Sequence, residues 1–185
     1  HYEPAMEQGM AEQRAEIEAI ASNPEPATFE NTLVAMEQSG QLLDRAARVF
    51  YGQSSAHTND AIETIQVTLS PKLAEHSDAI LLDPRLFARV DALYKQRNQL
   101  NLDIESMKLL QDTYKDFVRA GALLDDAGQE RMREINTELA SLQTTFRQNV
   151  LAEVNDRAVA VDSIEALNGM SEGDIAAAKS AAEAR

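Results

Sequence analysis

The chain has 185 residues, of which 44% are hydrophobic and 5% aromatic, enough for one domain with a sizeable core. Its formal net charge of -14 argues against a nucleic-acid surface, because phosphates are bound by Lys and Arg. It contains no cysteine, which excludes disulfides and thiolate metal sites, and no apolar run approaches the roughly 20 residues of a membrane span. The abundance of good helix formers favours helix over sheet.

The first third of the chain shows three helical patterns separated by turn residues. The apolar spacing predicts a first helix over 4–21, which the Asn-Pro-Glu-Pro sequence at 23–26 ends. Thr28 can cap a second, short helix. A third helix carries its apolar residues between 42 and 50, and the small polar residues at 52–55 loosen its end.

The fourth helical pattern contains a proline. This helix is predicted to start at the Thr-Asn-Asp sequence of 58–60 and to continue to Leu82. Pro71 lies inside the run, where proline removes a backbone donor and crowds the preceding turn. It must therefore kink the helix or, with Ser70 as a cap, divide it in two.

Two further helices have clear start signals. Asp83 and Pro84 supply a cap followed by a first-turn proline. Asp103 opens the next helix, which ends near Gly121, a residue suited to a left-handed helix end. The short loop at 123–126 then predicts an antiparallel hairpin with the helix that follows.

The longest predicted helix extends over 125–155, opens at Asp125 and Asp126, and contains no Pro or Gly after 128. Its apolar residues recur at alternating spacings of three and four, which places them on one helical stripe. The stripe consists of Met132, Ile135, Leu139, Leu142, Phe146 and Val150. At 1.5 Å per residue such a helix is about 40 Å long, so we expect several other helices to share its stripe.

The pattern changes toward the end of the chain. Valines alternate over 157–162, which predicts at most one short strand near 158–162. Residues 163–167 suit a single helical turn, and the Ser-Glu-Gly-Asp sequence at 171–174 starts a last helix. Because a lone strand is not stable in water, we expect residues 155–185 to be completed by C-terminal sequence that is absent here.

Together these patterns predict an all-α fold. We expect an irregular bundle of antiparallel helical hairpins with seven or eight helices, one of them long and central, in a single helical domain over 1–185. The sequence starts at His1 without Met and stops inside an alanine-rich helical pattern, which we interpret as a fragment of a longer protein. Apolar surface left uncovered in such a fragment is expected to cause self-association.

No residues with the spacing of a catalytic or metal site are found in the sequence. None of the three histidines is followed by Glu and by a second His four residues on, as a zinc helix needs. His57 beside a helix start and His76 on an apolar stripe are interpreted as structural, and Asp125 with Asp126 as a helix cap. We therefore predict no catalytic, cofactor-binding or metal-binding residue in this chain.

Several stretches nevertheless resemble one protein family. The Asn-Pro-Glu-Pro-Ala-Thr-Phe-Glu-Asn-Thr sequence at 23–32 is similar to the early segment of the thimet oligopeptidase family of zinc metallopeptidases, as is the His-Tyr-x-Pro-Ala opening at 1–5. The stretches at 70–80, 84–90 and 116–122 resemble the bacterial peptidyl-dipeptidase branch of that family. The resemblance extends over essentially the whole chain.

The resemblance implies that this is the non-catalytic N-terminal helical region of a zinc-dependent peptidyl-dipeptidase or oligopeptidase. Such enzymes remove C-terminal dipeptides from short peptides, and in the family the His-Glu-x-x-His helix belongs to the C-terminal half. That half would be the partner of this chain and would hold the zinc. The helices encoded here would form one wall of the substrate channel and would be inactive alone.

Two other functions are compatible with the residues. A free-standing acidic helical bundle that binds a partner protein is the main alternative. A hydrolase built on a carboxylate pair is disfavoured, because no second catalytic partner can be named for any candidate. The predicted compartment is the cytoplasm, or the periplasm if a signal peptide precedes His1, and no contact with nucleic acid or membrane is expected.

Overall fold

The computed structural model describes residues 1–157 and 159–183 of the chain, apart from the side chain of Asn155. These residues form helices and short helical turns, and no strand occurs among them. The α-helices are α1 (Tyr2–Ala21), α2 (Ala35–Gln38), α3 (Gln41–Ala56), α4 (Asp60–Leu81), α5 (Pro84–Gln96), α6 (Ile104–Ala120), α7 (Asp126–Asp156) and α8 (Glu172–Glu183). A π-helical turn, Phe29–Val34, precedes α2, and 3-10 turns lie at Arg97–Gln99 and Ile164–Leu167. The predicted all-α fold is confirmed.

Side-chain caps mark the helix starts that the sequence predicts. Thr28 Oγ1 accepts a hydrogen bond from the Asn31 backbone N–H at 3.0 Å, and Asn31 Oδ1 accepts one from the Thr28 N–H at 2.8 Å. This reciprocal pair is a capping box. Asp83, Asp103 and Asp125 each accept a hydrogen bond from a backbone N–H in the first turn of the helix that follows. Asp125 is therefore a helix cap, as predicted.

Helix α4 continues through its proline. It starts after Asn59, whose Oδ1 accepts a hydrogen bond from the Ile62 N–H at 3.0 Å. Pro71 lies inside it, so the helix is not divided there. A proline at this position leaves the carbonyl of Val67 without its helical donor. Val67 is 50% exposed, which places it where water can replace that donor.

Helix α3 contains the residues 52–55 in its last turns and ends at Ala56. One other local prediction differs from the structure. The predicted strand near 158–162 is not formed at 159–162, while Ala158 lies outside the described residues. A strand needs a hydrogen-bonded neighbour, and the described part of the chain supplies none.

The chain contains two compact units, His1–Phe146 and Arg147–Arg185, and the predicted single domain stays a prediction. In the first unit α1 is the central element, because it contacts α3, α4 and α5. Its buried apolar residues include Met6, Met10, Ile17 and Ile20. Helix α3 approaches α1 closely at Gly9, where a Cβ would lie only 2.6 Å from the backbone nitrogen of Leu43.

The core of the first unit extends from α1 to its neighbours on both sides. Phe117 of α6 is fully buried against Leu86 and Val90 of α5 and Ile17 of α1. The ring of Phe87 stacks on that of Phe117 with 5.9 Å between centroids. A second cluster joins α1, α3 and α4 and consists of Met6, Phe50, Ile62 and Leu69.

Candidate functional site

Helix α7 faces α4 with polar side chains. Asn136 Nδ2 donates a hydrogen bond to Asp78 Oδ1 at 2.7 Å. Two turns further on, Ser70 Oγ and Thr144 Oγ1 lie 2.6 Å apart, and Thr144 is only 2% exposed. Because side chains four positions apart are neighbours on a helix, positions 136 and 144 lie in one row along the same side of α7. This row is the side of α7 that faces α4.

The apolar stripe of α7 therefore points away from α4. Within the first unit its exposed members are Ile135 at 40%, Leu139 at 47%, Leu142 at 59% and Phe146 at 68%. The prediction that other helices of this chain cover the stripe is wrong. The physical reason is that a helix turns one face at a time to a neighbour, and in α7 the neighbouring row carries the contacts to α4. We call these four residues the α7 seam.

The second unit contains an open apolar cleft of its own. The extended segment 159–163 and α8 border a space of about 500 Å³. Val161 and Ile164 on one side and Ile175 and Ala178 on the other line it. Val161 and Ile164 are 44% and 68% exposed. Asp162, Ser163 and Lys179 also line the cleft, so its walls are apolar and polar in part.

His76 lies in the interior between α4 and α1. It is 4% exposed, its Nδ1 accepts a hydrogen bond from Arg14 Nε at 3.3 Å, and its Nε2 donates to Gln13 Oε1 at 2.7 Å. Both ring nitrogens are satisfied in the neutral form. Burial, and secondly the charge of Arg14, lower the pKa of His76 below its usual value. This is the hydrogen-bonded interior position that the sequence predicts.

Acidification is expected to destabilise the chain partly through His76. Because its folded-state pKa is lowered, the unfolded chain binds the proton more readily, so stability falls as the pH drops below about 6.5. In His76→Gln, which keeps donor and acceptor atoms, the stability lost between pH 7 and pH 5 should be smaller. Urea denaturation at the two pH values measures this. An unchanged pH slope in the variant would contradict the assignment.

Asp78 is a buried carboxylate that sequence reasoning missed. It is 5% exposed, and its Oδ2 has no hydrogen-bond partner among the described residues. Burial raises the pKa of Asp78, while the hydrogen bond from Asn136 and the charge of Arg133 oppose that rise. The residue joins α4 to α7, 58 positions apart. No local pattern in the sequence marks such a contact.

A groove between α1 and α4 brings charged side chains together. It is lined by Glu7, Met10, Ala11, Arg14, Lys72 and Glu75. Lys72 Nζ lies 3.2 Å from Glu3 Oε1 and also pairs with Glu7. The hydrogen bonds that Lys72 donates to these carboxylates, the one to Glu7 first, raise the pKa of its ammonium group. Because the groove is lined by two carboxylates, Glu7 and Glu75, and by two cations, Arg14 and Lys72, it does not present a site of one sign.

The two stretches 23–32 and 84–90 meet in space through Arg89. This guanidinium is 8% exposed and donates to the carbonyls of Asn23 and Glu25 at 2.9 and 3.0 Å. It also donates to Asn31 Oδ1 at 2.8 Å and Thr32 Oγ1 at 3.3 Å. Both stretches carry the family resemblance, and in this chain their role is structural.

No metal site is present in the part of the chain that the structure describes. No group of three or more His, Asp or Glu side chains there is arranged to hold a metal ion. His57 is exposed and follows the last residue of α3. The prediction that the chain contains no catalytic, cofactor or metal residue stays a prediction. Among the described helices, none combines the length and the apolar character that crossing a membrane requires.

Comparison with known proteins identifies relatives along the whole chain. The chain is 44% identical over 182 residues to the dipeptidyl carboxypeptidase of Escherichia coli (strain K12) and 42% identical to that of Salmonella typhimurium, which covers 98% of this chain in both cases. It is 28% identical to the oligopeptidase A of Salmonella typhimurium in an alignment of 187 positions that covers 100% of this chain. No family model matches the chain.

The chain spans 27% of the length of each of these curated relatives. The matched part is their N-terminal region. The resemblance recognised from 23–32 and 84–90 is thereby confirmed. Along its whole length the chain is therefore similar to one region of the dipeptidyl carboxypeptidases and of oligopeptidase A.

Proposed function

We propose that this chain is a non-catalytic helical region of a zinc-dependent peptidyl-dipeptidase or oligopeptidase that removes C-terminal dipeptides from short peptides. The observation that carries the proposal is the 44% identity to a dipeptidyl carboxypeptidase over 98% of the chain. Because the chain spans 27% of that relative, the catalytic groups would belong to the remaining polypeptide. The proposed compartment is the cytoplasm, which cell fractionation would check.

Zinc has no place among the described residues. A catalytic zinc takes three protein ligands and keeps a fourth position for water or substrate. Residues 1–157 and 159–183 contain no group of three or more suitable side chains. These residues do not fit the ion, so the proposal places it outside them.

In the proposed enzyme the helices form one wall of the substrate channel. A wall of this kind contributes shape and water exclusion rather than a reacting group. Its support is the packing of the first unit, in which α1 contacts α3, α4 and α5 across a close-packed core. A rigid wall would restrict entry to short, unfolded peptides.

A second function, an acidic module that binds a partner protein, is favoured by one observation. The α7 seam is 40% to 68% exposed on a chain of net charge -14, and exposed apolar patches mark interaction surfaces. The reading frame separates the two functions. A downstream His-Glu-x-x-His sequence supports the peptidase, and a stop codon soon after Arg185 supports the module.

The 185-residue chain alone is expected to release no dipeptide from a short peptide in the presence of zinc. The longer polypeptide of the same gene should release C-terminal dipeptides, and a chelator should abolish that activity. Mass spectrometry of the products measures both. Chelator-sensitive turnover by the short chain would contradict its non-catalytic role, and an inactive longer polypeptide loaded with zinc would contradict the parent activity.

A further inference from the structure

The α7 seam has the spacing of a helix–helix contact. Ile135, Leu139, Leu142 and Phe146 follow each other by four, three and four positions, and with Met132 they continue a seven-residue repeat. A narrow seam of period 3.5 is the pattern by which one helix packs along another. The partner that fits it is an amphipathic helix with its own apolar edge.

The other helices of the first unit do not cover the α7 seam. The neighbouring row of α7 is held to α4 at both ends, by Asn136 on Asp78 and by Thr144 beside Ser70. Turning the seam inward would break both contacts and leave the buried Asp78 carboxylate without its hydrogen bond. The seam therefore faces outward as a property of the fold.

A second copy of this chain is a less suitable partner for the α7 seam than a segment of the same polypeptide. A stable interface buries about 800 Å² on each partner, and four side chains that are already 32% to 60% covered offer far less. A segment of the same polypeptide needs no such area, because its linkage gives it a high effective concentration at the seam. The chain spans only 27% of its relatives, so a polypeptide of their length contains enough further sequence to supply that segment.

We propose that the α7 seam is the surface on which an amphipathic helix from the remaining polypeptide docks. The inference rests on the proposed function, since it requires this chain to be part of a longer peptidase. It names the contact by which the helical region is held to the rest of the enzyme. The contact is apolar, made by four side chains of α7, and separate from the polar contact between α7 and α4.

Cysteine labelling tests this surface without relying on activity. The chain contains no cysteine, so Leu142→Cys introduces one reactive thiol at a 59% exposed position of the seam. Val49→Cys on α3, at 61% exposure, is the matched control. Each variant is made in the 185-residue chain and in the longer polypeptide. Maleimide modification of the two peptides is followed by mass spectrometry.

The expected result is fast labelling of both thiols in the short chain. In the longer polypeptide the labelling rate should drop at least about tenfold at Leu142→Cys and stay unchanged at Val49→Cys, because a buried thiol is inert. Equal rates at Leu142→Cys in the two proteins would overturn the proposal. Concentration-dependent protection in the short chain would also overturn it, in favour of a second copy.

Peptidase activity of the unmodified longer polypeptide is measured separately. If it is inactive with zinc while Leu142→Cys is protected, the proposed enzyme function fails and the docking surface stands. If it is active while Leu142→Cys reacts freely, the docking surface fails alone. Phe146→Cys, at 68% exposure, repeats the measurement should Leu142→Cys not fold.

Discussion

Replacing Phe117 by alanine is expected to lower the free energy of unfolding of the chain by about 3–5 kcal/mol, the usual cost of removing a buried phenylalanine. The side chain is fully buried among Leu86, Val90 and Ile17, and its ring stacks on that of Phe87. The variant loses the transfer free energy of the ring and leaves a cavity in the core.

Phe146→Ala is the matched control for this substitution. Both phenylalanines belong to a helical apolar stripe in the sequence, but Phe146 is 68% exposed. In the 185-residue chain its replacement should change stability by at most about 0.5 kcal/mol, as for other surface positions. Urea denaturation followed by circular dichroism measures both variants. Equal losses for the two would mean that Phe146 is covered by part of this chain, contrary to the structure.

Arg89→Met is expected to cost about 2–4 kcal/mol of stability, because it removes the donors for four oxygen atoms at once. Methionine keeps the volume of the stem, so the loss reports hydrogen bonding rather than a cavity. The affected oxygens belong to the segment 23–32, in which the capping box of Thr28 and Asn31 would remain. We expect this segment to become the most readily cleaved part of the variant.

Two control variants allow the stability loss of Arg89→Met to be interpreted. Arg85→Met removes a guanidinium that bonds Glu18 at 2.7 and 2.8 Å but is 52% exposed, and surface pairs contribute only about 0–1 kcal/mol. Arg89→Lys keeps the charge but lacks the planar fork, so its loss should be intermediate. Chemical denaturation and limited proteolysis measure all three. A loss at Arg89 no greater than at Arg85 would contradict the assigned network.

Helix starts were predictable because their signals are local. Thr28, Asp83, Asp103 and Asp125 each accept a hydrogen bond from a backbone group no more than three residues away. The inward faces of α1, α5 and α6 were equally predictable. In these helices the 3.6-residue pattern and the buried set coincide, as at Ile17, Leu86 and Phe117. Helix caps and inward faces depend only on residues that are close together in the sequence.

The polar contacts of the interior were not predictable in the same way. Arg89 bonds residues 57 to 66 positions away, and Asp78 bonds Asn136, 58 positions away. Nothing near Arg89 or Asp78 in the sequence distinguishes them from the exposed Arg and Asp residues of other helices. Their burial follows from which helices become neighbours.

The family resemblance was also available in the sequence, since it rests on specific stretches such as 23–32. The structure adds what the residues of those stretches do in this chain. Residues 23–32 supply the capping box at Thr28 and the oxygens that satisfy Arg89. Their part in this chain is to order the turn between α1 and the following helices.

By itself the sequence determined the fold class, the helix starts and the apolar stripe of each helix, because propensity, capping and periodicity act within a few residues. Only the tertiary structure decided which of these apolar stripes is buried against another helix. Helix α1, and not the longer α7, occupies the centre, and α7 contacts α4 through Asn136 and Thr144 while its seam stays exposed. Periodicity describes one helix face at a time, whereas burial depends on what lies opposite that face.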